Sequence, residues 1–475
     1  MKKAVTLIVF PAVVLWLAEN CAALQTQAPI PDPAGLVSLM KADKFLEADR
    51  LAASLLKSKD LNPQTLALCG LAMLKAGRID EAEAVLKKAV ALAPENPEAH
   101  LGLGRISRAR NHNDKAIFHL EKAVSSTDFL EEALRHLWRT VKERGIPGDL
   151  NRVRALTEQR YFRDGRALPS WIDNSIKQLG GREDRHLYRM EGSREFFSLP
   201  LLLRDDLPQF GLRMISLKLN GKSEYPFDID SALVDFMTVS PLLAEELGLA
   251  LTGNATATGV GTRESRVRFA VLDQVEMGPV TFYDVPVQVS DIATFQGLKK
   301  GLIGTALLKR FNITIDFGKK VLNVYPLERP DLLAAAIDRK AVAADIPLYC
   351  YDQTVVAASV GRAPESLYIL DTAAATVLSD TPFFDMHIRP KIDPARMTQS
   401  GIQGAGGAQQ TIRVEGLSVT LGPLLIPNQA VHVFAMETLN EIGERYTAGL
   451  LGNPVLWSYR VHMDFKNGRL ILEKR

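Results

Sequence analysis

The chain has 475 residues, which at ~150 residues per domain suggests about three folded units. Its 57 Lys and Arg against 55 Asp and Glu leave a formal charge of +2, and no dense basic run is present, so nothing draws the chain to nucleic acid. Apolar residues at 47% and charged residues at 24% are ordinary globular values and exclude wholesale disorder.

The first residues read as an export signal. Met1-Lys2-Lys3 is a basic start, Ala4 to Ala18 is an apolar run, and Cys21-Ala22-Ala23 offers small residues at the cleavage positions, which predicts cutting after Ala23. The run is short for a bilayer span, and Pro11 interrupts it. Glu19 and Asn20 are not the small apolar residues that precede a lipidated cysteine. The expectation is an exported protein, periplasmic or extracellular, with no membrane span once the signal over 1–23 is removed.

Cys69 and Cys350 fall in different predicted domains, so two buried free thiols are expected rather than a disulfide framework. No CxxC or HExxH occurs, so neither a metal nor a cofactor is implied. Gly221-Lys222-Ser223 ends like a phosphate-binding loop, but Ser216 stands where that loop needs a glycine.

After a Gln/Pro-rich linker comes a helical region with an internal period of 34. Asn62-Pro63 recurs as Asn96-Pro97, Gly70 as Gly104, Ala82 as Ala116, Leu86 as Leu120 and Ala89 as Ala123. Small residues at fixed places in such a period point to paired helices that approach closely. The pattern resembles the tetratricopeptide repeat. A degenerate pair near 129–160, with Trp138 in place of the expected glycine, reads as the cap of a stack over 34–160. Such stacks usually present a concave surface to a protein partner. Residues 161–195 read as a polar connector with a short helix.

From residue 196 the texture changes to short apolar or alternating runs, separated by turn residues such as Asn220-Gly221 and Met277-Gly278-Pro279, an all-β signal. This half is duplicated. Gly301-Leu302-Ile303-Gly304 is echoed by Gly449-Leu450-Leu451-Gly452, and Ile313 and Asp316-Phe317 by Val461 and Asp464-Phe465. Two copies of one unit are predicted, over 196–328 and 343–475.

Each copy places one aspartate after a strand and before a small-residue turn: Asp230-Ser231-Ala232 and Asp371-Thr372-Ala373. These triplets resemble the Asp-Thr/Ser-Gly signature of the retropepsin-like aspartyl proteases. The later apolar-apolar-Gly elements, ending at Gly304 and Gly452, support the resemblance. The family implies a dyad of Asp230 and Asp371, one from each lobe, sharing a proton and activating a water. Ser231 and Thr372 would hydrogen-bond across the lobe boundary. The glycine-rich stretches after the triplets, with Gly259 and Gly261 in one and Gly404 and Gly406 in the other, would form substrate-covering flaps. Two lobes in one chain resemble pepsin and would work as a monomer.

The sequence also departs from the family. Ala232 and Ala373 replace its glycine. Asp228 stands where an apolar residue is usual, on the same strand face as Asp230. The run from Asp230 to Ser240 is longer than that from Asp371 to Ser379 and carries Asp235. The expected architecture is thus multidomain: an all-α tetratricopeptide-like solenoid followed by a mainly-β, two-lobed retropepsin/pepsin-like domain. The expected activity is that of an exported aspartic-type endopeptidase acting on a peptide or protein substrate. The alternative is a non-catalytic peptide- or protein-binding scaffold with a degenerate protease fold. A third reading is a purely structural envelope protein.

Overall fold

The computed structural model describes residues 33–58, 61–163, 165–203, 212–257, 265–291, 301–404 and 407–475. The expected export signal lies outside these residues. No described helix is long and apolar enough to cross a membrane.

The helical half runs α1 (Pro33–Lys41), α2 (Phe45–Leu55), α3 (Pro63–Lys75), α4 (Ile79–Leu92), α5 (Pro97–Ala109), α6 (Asn113–Ala123), α7 (Leu130–Arg144), α8 (Pro147–Arg163) and α9 (Ser170–Lys177). The 34-residue repeat has a local cause. Asn62 and Asn96 are N-caps, accepting from the backbone N–H of Thr65 at 2.8 Å and of Ala99 at 2.9 Å, with Pro63 and Pro97 at the first helical position. The repeated glycines mark where helices touch. A β-carbon on Gly70 would come 2.7 Å from Leu86, and one on Gly104 2.7 Å from Leu120. α7 and α8 form the closing pair, with Trp138 buried in the stack.

The first β-unit contributes β1 (Arg189–Gly192), β2 (Phe197–Pro200), β3 (Leu202–Leu203), β4 (Leu212–Leu219), β5 (Glu224–Ile229), β6 (Met237–Val239), β7 (Thr252–Ala257), β8 (Ser265–Met277), β9 (Val280–Ser290) and β10 (Gly301–Ile303). All but β2 form one sheet, ordered β1-β9-β6-β10-β5-β4-β8-β7, with β3 on β4. Next come β11 (Phe311–Asp316), β12 (Val321–Pro326) and β13 (Val342–Pro347). The second unit repeats the plan with β14 (Tyr349–Cys350), β15 (Thr354–Val360), β16 (Ser366–Leu370), β17 (Val377–Asp380), β18 (Met397–Gly404), β19 (Gly407–Leu421), β20 (Leu424–Phe434) and β21 (Gly449–Leu451), ordered β14-β15-β16-β21-β17-β20-β19-β18. β22 (Tyr459–Asp464) and β23 (Arg469–Lys474) close the chain.

A six-stranded sheet ordered β13-β23-β22-β11-β12-β2 joins the lobes, three strands from each. Two strands near the predicted start of the first lobe go to different sheets. β1 lies inside the predicted connector but pairs with β9, because Arg189 to Gly192 extend that edge of the lobe-1 sheet. β2 opens the predicted first lobe but pairs with β12 in the joining sheet. The connector's short helix is α9.

The helical stack packs directly on the lobes through α3, α5 and α7. Arg108 and Arg139 grip Asp352, which lies between β14 and β15, at 2.7 and 2.8 Å. Arg105 donates to the Glu444 carbonyl at 2.9 Å, and His136 Nε2 lies 2.8 Å from the Glu444 carboxylate. Lys309 pairs with Glu143, and the backbone N–H of Tyr446 donates to the Lys75 carbonyl at 2.6 Å. These side chains of the helical stack are engaged by the chain's own β-half. Cys69 and Cys350 are both free and buried, and burial pushes each thiol up to about 12.

Candidate active site

Each site aspartate ends a strand threaded beside a parallel neighbour. β10 runs parallel to β5 and antiparallel to β6, while β21 runs parallel to β16 and antiparallel to β17. The Asp230 N–H donates to the Ile303 carbonyl and the Asp371 N–H to the Leu451 carbonyl, both at 2.9 Å. Gly304 and Gly452 allow this threading. A β-carbon on Gly304 would sit 2.1 Å from the Asp235 carbonyl oxygen, and one on Gly452 2.3 Å from that of Thr376. The duplicated apolar-apolar-Gly elements are thus the backs of the two aspartate loops.

Ser231 and Thr372 meet across the lobe boundary, and both are buried. The Ser231 N–H donates to Thr372 Oγ1 at 3.2 Å, and the Thr372 N–H donates to Ser231 Oγ at 3.1 Å. The Ser231 hydroxyl donates to the Leu370 carbonyl and the Thr372 hydroxyl to the Ile229 carbonyl, each at 2.6 Å. This reciprocal set needs a short hydroxyl at both positions, which Ser and Thr supply. Thr305 and Thr354 reinforce it, each donating to the Ser231 carbonyl at 2.8 Å.

The two alanines leave the loops intact. Asp230 Oδ1 accepts from the N–H groups of Ala232 at 2.9 Å and Leu233 at 3.0 Å, and Asp371 Oδ1 from those of Ala373 at 2.8 Å and Ala374 at 2.9 Å. Neither Ala232 nor Ala373 has a positive φ, so a methyl group brings no backbone strain there. Both aspartates keep partial solvent access. Burial, and then the negative charge of Asp371, push the Asp230 carboxyl up to about 8 against the pull of its two N–H donors. Burial also raises Asp371, opposed by the Ala373 N–H, the Arg213 cation and the Ala374 N–H. The two carboxyls titrate as a linked pair.

Asp228 is buried rather than projecting into the site, with Oδ1 3.8 Å from Arg213 Nε. Asp235 is held by Lys142 at 3.2 Å, Gln178 at 3.3 Å and Gln288. It therefore belongs to the packing of α7 and α9 against lobe 1. The longer lobe-1 run is seen in the pairing, since Gly301 stands opposite Val239 while Gly449 stands opposite Ser379. Among the flap glycines, Gly404 pairs with Gly407 at the end of the β18–β19 hairpin. Gly259, Gly261 and Gly406 lie outside the described residues, and β7 pairs with β8 below the first two.

Sequence reasoning missed Arg213, Thr305 and Thr354. Thr305 stands directly after Gly304, so its position was readable. Thr354 and Arg213 lie on strands that reach the triplets only through pairing. Among the described residues one trio could offer metal ligands: Glu132, His136 and Glu444, with ligand atoms within 4.8 Å of one another. Lys75 and Arg105 already pair with Glu132, and Arg135 with Glu444, so a divalent ion would enter against three cations.

Residues 215–307 match the aspartyl protease family model, and residues 73–129 match that of the tetratricopeptide repeat. No curated protein matches the chain.

Proposed function

We propose that this chain, which carries a tetratricopeptide repeat and a retropepsin-like aspartyl protease domain, is an exported endopeptidase that hydrolyses peptide bonds through the Asp230/Asp371 pair. The observation that carries this reading is the reciprocal Ser231–Thr372 hydrogen bonding, which sets the two aspartate loops in register across the lobes. The linked titration of the carboxyls supports it.

In the proposed reaction one carboxylate takes a proton from a bound water as its oxygen attacks the scissile carbonyl carbon. The other carboxyl donates its proton to the carbonyl oxygen. The amine then leaves with the proton that the first carboxylate took from the water, while one hydroxyl of the tetrahedral carbon returns its proton to the other carboxylate as the C=O bond re-forms, and the original protonation is restored. The hairpins β7–β8 and β18–β19 would cover an extended peptide. A protein partner of the repeats is left the faces that the β-half does not cover. Export rests on the residues over 1–23.

The test compares the mature chain with Asp371→Asn on a random peptide library between about pH 3 and 7, where carboxylate dyads titrate, with products read by mass spectrometry. Cleavage by the parent and none by the variant is expected. No cleavage by either folded protein would turn the assignment to a scaffold that holds peptides without cutting them.

A further inference from the structure

The lobes correspond residue by residue around the site. Ser231 and Thr372 are 141 residues apart. The same offset links the strand registers: Met214 stands opposite Asp228 in β4–β5, and Val355 stands opposite Ile369 in β15–β16. Arg213 of lobe 1 thus occupies the place of Thr354 in lobe 2, and Asp228 the place of Ile369.

The two sets behave differently. Thr354 is neutral and fully buried, and its hydroxyl donates to the Ser231 carbonyl at 2.8 Å and the Leu370 carbonyl at 2.9 Å. Arg213 is 3% exposed and also reaches over the lobe boundary, where its Nη1 donates to the Ala373 carbonyl. Its Nε lies 3.8 Å from Asp228 Oδ1. A cation is therefore fixed against the loop of Asp371, and an anion sits two residues before Asp230. In lobe 2 a hydroxyl and an aliphatic chain take those places.

We propose that the Arg213–Asp228 pair makes the two site carboxyls unequal, keeping Asp371 as the ionised, water-activating base and leaving the shared proton on Asp230. In a dyad with equal surroundings the proton has no preferred side. Among the described residues, Arg213 acts on Asp371, and Asp371 and Asp228 act on Asp230. Arg213 favours the charged form of Asp371, and Asp228 disfavours that of Asp230, so both act in one direction. Arg213 is a positioning residue that works through Asp371. The role of Asp371 as base rests on the peptidase reading, whereas the place of the proton does not.

The experiment is a carbon-13 NMR titration of the mature chain labelled at aspartate side-chain carboxyls, with resonances assigned through Asp230→Asn and Asp371→Asn. The parent should ionise first at the Asp371 carbon and later at Asp230. The double variant Arg213→Thr with Asp228→Ile installs the residues that lobe 2 already carries at these positions. It should spread both steps over both carbons and raise the lower apparent pKa by about one unit. Arg213→Lys, which keeps the cation, should restore the parental order. First ionisation at Asp230 in the parent overturns the proposal without any variant, as does a double variant that keeps the parental order. Cleavage is followed alongside. Ordered titration without cleavage supports the proton placement and removes only the peptidase reading, while cleavage with the reverse order removes only this inference.

Discussion

Thr314 and His462 stand directly opposite each other in the antiparallel pair β11–β22, with Thr314 Oγ1 2.7 Å from His462 Nδ1. They are also equivalent residues of the two lobes, since their spacing of 148 is that of the matched pairs Ile313 with Val461 and Asp316 with Asp464. A pseudo-two-fold axis thus passes between them, through the joining sheet. His462 is fully buried, and its Nε2 lies 3.0 Å from Glu473. His462→Ala should leave Thr314 and Glu473 without this partner and cost about 1–3 kcal/mol. The loss should appear as a lower midpoint in urea unfolding, and an unchanged midpoint would contradict the role given to this pair.

Gly304 and Gly452 should tolerate no side chain. The atoms that a new methyl group would meet are backbone oxygens of the aspartate loops, at 2.1 and 2.3 Å, and these cannot swing aside as a side chain can. Gly304→Ala or Gly452→Ala should cost about 3 kcal/mol or more. Circular-dichroism melting is the measurement, with Gly148→Ala as the control because open space surrounds that position. Equal melting of all three variants would sink the argument.

Asp352 should be the weak point of the helix-to-lobe clamp. Its carboxylate lies between Arg108 and Arg139, and these cations, Arg108 first, overcome the effect of burial to hold it well below the usual carboxylate range. Such a group contributes its full stability above its unfolded pKa near 4, and loses it progressively as pH falls from there through the depressed folded value. The clamp should therefore keep its full contribution over the part of the cleavage assay above about pH 4. Asp352→Asn should leave Arg108 and Arg139 short of one counter-ion and cost about 3 kcal/mol at neutral pH. Limited proteolysis of the folded variant should then cut between the helices and the lobes, whereas a resistant variant would show that the other contacts, Lys309 with Glu143 and Arg135 with Glu444 among them, hold the halves without Asp352.

The raised carboxyl of Asp230 gives a pH signature of opposite sign. Its folded value near 8 lies above the ordinary 3.8, so the folded state holds a proton that the unfolded chain releases over that interval. Below about pH 4 both states are protonated and nothing is lost. As pH rises from about 4 to 8, the parent should lose stability through this group. Asp230→Asn should thus melt about 1–3 °C above the parent at pH 8 and level with it at pH 3.5. Equal differences at both pH values would mean that the carboxyl is not perturbed by folding.

The helical repeat was legible because its causes are local. Asn62-Pro63 and Asn96-Pro97 start helices by capping, and Gly70 and Gly104 recur because Leu86 and Leu120 pack on them one helix later. The aspartate triplets and their supporting glycines were legible for the same reason, since each loop is a short unit with fixed residue demands. Tertiary structure alone decided three matters. It set β1 and β2, neighbours in sequence, in two different sheets, because an edge strand is placed by hydrogen-bond partners far along the chain. It joined α3, α5 and α7 to the chain's own β-half, through charges such as Arg108 and Asp352 that lie 244 residues apart and carry no mark of pairing in the sequence. It also turned Asp228 from an intruder in the site into the buried counter-ion of Arg213, since β4 and β5 bring the two together only through their register.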